Sequence, residues 1–80
     1  MILPSKHISF SESLLGYGSY LLSKIGKGKS VDELYQETLK DHQRGVYPSK
    51  QSFDTLILTL VFLYSIGVIE ERDGMVELCA

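Results

Sequence analysis

Apolar positions recur along this chain first at helical spacing and then, near the C-terminus, at every second residue. From Ser11, the apolar residues Leu14, Leu15, Leu21, Leu22 and Ile25 follow a helical period after a polar start, which predicts a first helix over about 11–25. Gly16 and Gly18 fall inside it, each costing about 1 kcal/mol relative to Ala. The expectation is that they let another backbone approach closely. Ser30 and Glu33 have the spacing of a capping box ahead of Val31, Leu34, Tyr35, Thr38 and Leu39, predicting a second helix over about 31–43. It should end near Arg44-Gly45, with Gly45 left-handed and Pro48 barring continuation.

Ser52 is the expected N-cap of a third helix running to Ile66, with Gly67 as its stop. Wound at about 100° per residue, this segment puts Phe53, Leu56, Ile57, Leu60, Leu63 and Tyr64 on one face, the expected core stripe. Leu58 and Phe62 then lie on the opposite side with Ile66 nearby, so the helix has two apolar faces. After Gly67 the period shortens to two. Val68 to Arg72 and Met75 to Leu78 flank Asp73-Gly74, a pair that favours a type I′ hairpin turn. That turn sets Ile69 opposite Leu78 and Glu71 opposite Val76, with Ile69, Val76 and Leu78 facing inward and Val68, Glu70, Arg72, Met75 and Glu77 outward.

The predicted fold is mainly α with a C-terminal β-hairpin, in the element order of a winged-helix domain: three helices plus a wing at 67–79. A single domain is expected over residues 1–80. Residues 1–10 carry Pro4 and a short alternation at His7-Ile8-Ser9-Phe10, and read as an extended N-terminal arm whose Ile2 and Leu3 need cover. A chain of 80 residues buries a modest share of its surface, so its stability depends on help from disulfides, a metal or a partner. The single Cys79 excludes an internal disulfide, and His7, His42 and Cys79 lack zinc-finger spacing, which leaves a partner.

With 44% hydrophobic and 22% charged residues the chain is too apolar for intrinsic disorder. The longest apolar run, Leu56 to Tyr64, is broken by Thr59 and far shorter than the roughly 20 residues of a membrane span. No basic stretch followed by an apolar one opens the sequence, so a cytoplasmic protein is expected.

A formal charge of −2 disfavours a protein built to neutralise phosphates. A DNA-reading winged helix presents Arg, Lys, Asn or Gln from its third helix and cations from its wing. Here residues 53–66 contain no basic residue and one acid, Asp54, while the wing sets Glu70, Glu71, Asp73 and Glu77 against Arg72. Basic residues lie instead at Lys24, Lys27 and Lys29, and at Lys40, Arg44 and Lys50, which fits a solvated rim with favourable charge at helix C-termini. Lys24, Lys27 and Lys29 are the candidates for a minor nucleic-acid contact within a larger assembly.

Gly26-Lys27-Gly28-Lys29-Ser30 shares only composition with a phosphate-binding loop, because the glycine spacing and the preceding strand are missing. Cys79 has no neighbouring base in sequence, His7 and His42 are far apart, and the adjacent side chains of Asp41 and His42 point about 100° apart on a helix. No catalytic residue, cofactor, metal or small-molecule ligand is therefore expected, and the chain reads as a non-enzymatic interaction module. The competing reading is a winged-helix DNA-binding transcriptional regulator.

The text from Met1 to Leu22, the capped SVDELY, and SFDTLILTLVFLYSIGVIE followed by DGMVEL resemble the small middle component of bacterial ABC-three-component systems, the group that includes Lamassu-type anti-phage defence operons. The likeness covers nearly the whole chain. Its most specific parts are Leu3-Pro4 with Lys6-His7-Ile8, Ser11 through Leu15, Ser52-Phe53-Asp54, Phe62-Leu63-Tyr64 and Ile66-Gly67. The resemblance implies a winged-helix adaptor between an SMC-like ABC ATPase and a variable effector, often a nuclease, with DNA reached only indirectly through the complex. Ile2, Leu3, Pro4, Leu58, Phe62 and Ile66 are the expected partner interface.

Overall fold

In the computed structural model residues 10–45 and 52–79 are described, with side chains on the first helix from residue 13. Three helices, α1 (Phe10–Ile25), α2 (Val31–Gln43) and α3 (Phe53–Ser65), precede an antiparallel hairpin of β1 (Ile69–Arg72) and β2 (Met75–Leu78), a winged-helix-like layout. Phe10, expected in the arm, opens α1. The rest of the arm, with Ile2, Leu3 and Pro4, and the turn containing Pro48 lie outside the described residues.

Local chemistry accounts for the boundaries. Ser30 Oγ accepts from the Glu33 N–H at 3.1 Å while Glu33 Oε1 accepts from the Ser30 N–H at 2.9 Å, so two otherwise unpaired amides at the start of α2 are satisfied reciprocally. Gly45 follows the Arg44 cap at φ +76°. Ser52 Oγ accepts from the Thr55 N–H at 3.1 Å to begin α3. At its other end the Val68 N–H reaches the Leu63 carbonyl at 3.2 Å and the Gly67 N–H the Tyr64 carbonyl at 3.1 Å, with Gly67 at φ +81°. This paired closure turns the chain directly from α3 into the hairpin. Asp73 and Gly74 both have positive φ, 54° and 80°, as a type I′ turn requires. The register is the expected one, Ile69 with Leu78 and Glu71 with Val76.

One pairing was not legible beforehand. Lys29 forms an antiparallel bridge with Val76, exchanging backbone hydrogen bonds of 3.0 and 2.7 Å. Gly28 permits it: its φ is +130°, and a Cβ there would stand 3.3 Å from Glu77 Cγ. The glycine-lysine stretch thus ties the α1–α2 connection to the outer edge of β2.

The core joins Tyr17, Leu21 and Ile25 of α1, Leu34 of α2, Leu56, Leu60 and Leu63 of α3, Ile69 and Val76. Its α3 stripe differs from the predicted one. Leu56, Thr59, Leu60 and Leu63 are buried, whereas Phe53, Ile57 and Tyr64 are exposed. Thr59 is tolerated inside because its hydroxyl donates to the Thr55 carbonyl at 2.7 Å and so is satisfied. The packing of α1 selects this stripe: at Gly18 a Cβ would lie 3.0 Å from Leu63 Cδ2 and 3.6 Å from Thr59 Cγ2. Gly18 therefore admits side chains of α3 rather than a backbone, and Gly16, with nothing within 4 Å, admits neither. In the hairpin, Leu78 is 44% exposed instead of facing the core, and Val68, expected outside, packs against the core.

Candidate interaction surface

Because α3 is apolar almost all round, burying Leu56, Thr59, Leu60 and Leu63 against α1 leaves other apolar residues outside. Ile57, Val61 and Tyr64 follow at i, i+4 and i+7, a spacing that places them along one line on the helix. Val61 is 58% and Tyr64 63% exposed. This line forms one wall of a groove of about 220 Å³ whose other lining includes Val31, Ile69 and Val76, with Glu70 and Glu71 bordering it. Leaving a Leu- or Val-sized side chain in water forgoes about 1.5–3 kcal/mol that burial against a partner recovers.

The predicted interface residues divide. Leu58 and Ile66 are exposed. Phe62 is half-buried and packs against the core, so it is not the free outward residue the helical wheel suggested. Ile57, Val61 and Tyr64 add to this exposed surface, although the helical wheel puts Ile57 and Tyr64 in the core stripe and leaves Val61 on neither face.

The wing is negative: Arg72 is its sole cation, and it lies 3.4 Å from Glu70 and 3.8 Å from Glu77. Neither α3 nor the hairpin therefore presents a cationic surface to phosphate. Of the three candidate lysines, Lys27 is exposed, Lys29 pairs with Glu37 at 3.4 Å, and Lys24 lies 2.7 Å from Asp41 Oδ2. Lys24 is thus committed to the structure.

Asp41 is the buried charge that sequence reading overlooked. It shares the inward stripe of α2 with Leu34 and Thr38. Its carboxylate accepts from the Tyr20 hydroxyl at 2.5 Å as well as from Lys24. The Lys24 bond, and then that of Tyr20, hold the Asp41 carboxyl below its ordinary range in spite of burial. Tyr20 is pushed the other way, first by burial and then by donating to that carboxylate. Position 41 follows 34 and 38 at helical spacing, so the signal was available: an acid on an apolar stripe requires a cation or donors from the facing helix. The cluster fastens α1 to α2, within which Lys24 also sits 5.9 Å from the Tyr20 ring centre.

Among the described residues no group of three or more His, Cys, Asp or Glu side chains is placed to hold a metal, and Cys79 is an exposed free thiol. No described helix is long and apolar enough to cross a membrane. The family model described as ABC-three component (ABC-3C) system Middle Component 6 matches residues 3–79. The chain belongs to that family. No curated protein and no solved structure matches it. For this middle component, the other components of its system are the partners that the family description implies.

Proposed function

We propose that this middle component is a non-enzymatic, cytoplasmic adaptor that bridges an SMC-like ABC ATPase and an effector subunit, of nuclease type, in a Lamassu-type anti-phage defence complex. The observation that carries this reading is the apolar surface on α3, where Ile57, Leu58, Val61 and Tyr64 are exposed together on a member of a three-component family. Exposed apolar surface gathered in one place is a feature of protein-contact sites. The absence of cations from α3, and the pairing of Arg72 with two glutamates, support contact with protein in preference to DNA.

Co-expression with the other two components, followed by purification through a tag on this chain, tests the reading. Both components are expected to co-purify in fixed proportion. Sub-micromolar, sequence-selective binding of duplex DNA by the isolated chain, with no co-purification, overturns it in favour of a transcriptional regulator.

A further inference from the structure

Among the described residues, the hairpin has one occupied outer edge and one open edge. Val76 exchanges both backbone hydrogen bonds with Lys29, so the N–H and C=O of Val76 point away from β1. In an antiparallel ladder, residues directly opposite each other either bond to one another or both point outward. Glu71, the partner of Val76, therefore directs its own N–H and C=O away from β2, and Ile69, two residues earlier, does the same. No described residue pairs with the backbone on that side of β1. Ile69, Glu70 and Glu71 of this edge strand also line the groove that the Ile57–Val61–Tyr64 line of α3 walls.

We infer that this edge and groove form a strand-addition site for an extended segment of another component of the system, one that carries apolar side chains towards α3 and basic side chains beside Glu70 and Glu71. The inference rests on the adaptor reading and names the chemistry of its partner. The open N–H and C=O groups of Ile69 and Glu71 call for an extended backbone, as in other cases where a peptide joins a sheet edge. The apolar groove takes every second side chain of such a segment. Charge sets the remainder. Residues 69–78 hold Glu70, Glu71, Asp73 and Glu77 against Arg72, so a basic segment is attracted. A second copy of this chain is disfavoured, because pairing β1 with itself brings the glutamates of two copies together. Residues 1–9 of the same chain offer Ile2 and Leu3, but Pro4 beside them removes one N–H and restricts any such ladder to registers that turn its nitrogen to solvent.

Residue-resolved amide hydrogen exchange, on the full chain alone and in the complex with its two co-expressed components, tests the inference. Ile69 and Glu71 should slow at least about tenfold on assembly, while Glu70, already bonded within the hairpin, changes little. Glu70→Lys with Glu71→Lys should weaken assembly about tenfold at low salt, and Val61→Glu should abolish it. Three results overturn the inference and leave the adaptor reading standing. The complex can form with no change at Ile69 and Glu71. Both amides can be protected in the isolated chain and released when residues 1–9 are deleted, which identifies the chain's own segment as the occupant. Protection can instead rise with concentration alongside a doubling of mass, which identifies a second copy. Failure of any complex to form removes the adaptor reading and this inference together.

Discussion

Lys24 of α1 and Asp41 of α2 meet at 2.7 Å on a carboxylate that is 6% exposed, and the same oxygen receives the Tyr20 hydroxyl. Replacing Lys24 by Met leaves the buried charge with one donor in place of two. The expected loss is roughly 1–3 kcal/mol, the cost of an under-satisfied buried polar group, measured as a lower urea midpoint at neutral pH. Asp41 also gives stability a defined pH dependence. Its folded-state pKa is depressed, so its contribution is complete above the unfolded value of about 4 and is lost as pH falls through the folded value. In Asp41→Asn this acid-side contribution should disappear, and urea midpoints measured from neutral pH downward should fall less steeply than in the parent.

The two glycines of α1 should respond to substitution by different amounts. At Gly16 nothing lies within 4 Å of an added Cβ, so Gly16→Ala should raise stability by about 0.5–1 kcal/mol through helix propensity. At Gly18 an added methyl meets buried Leu63 at 3.0 Å, so Gly18→Ala should gain less, and Gly18→Val should cost about 1–3 kcal/mol by overpacking. Thermal melts of the three variants decide it. Equal gains at both alanines would show that Leu63 is free to move aside.

Leu58 and Phe62, which the helical wheel placed on one face, should separate on mutation. Leu58→Glu puts a charge on an exposed position and should change stability by no more than about 0.5 kcal/mol. Phe62→Glu removes an aromatic packed on the core and should cost about 2 kcal/mol or more. Urea unfolding of each single variant reads the difference.

The loop between α1 and α2 carries two separable devices. Ser30→Ala removes the capping box and should cost about 1 kcal/mol with the bridge to β2 intact. Gly28→Ala places a side chain at φ +130° against Glu77 and should cost roughly 1–3 kcal/mol. Because it strains the bridge itself, it should also speed amide exchange at Lys29, which Ser30→Ala should not.

Features that depend on residues near one another in sequence were legible without coordinates. The Ser30 and Ser52 caps, the stops at Gly45 and Gly67, and the Asp73-Gly74 turn with its register each follow from short-range chemistry, and each stands where the spacing put it. The absence of cations from α3 was equally plain. What tertiary structure alone decided is which way α3 faces. A helix with apolar residues at nearly every angle has no preferred side of its own, so its orientation is chosen by its neighbour, here the gap that Gly18 leaves for Leu63 and Thr59. That choice buries Thr59, exposes Ile57, Val61 and Tyr64, and so creates the groove. The bridge of Lys29 to Val76 has the same origin, and so has the choice of Lys24 as the cation for Asp41: the α2 spacing marks Asp41 as inward, but only the packing of α1 on α2 says which residue meets it.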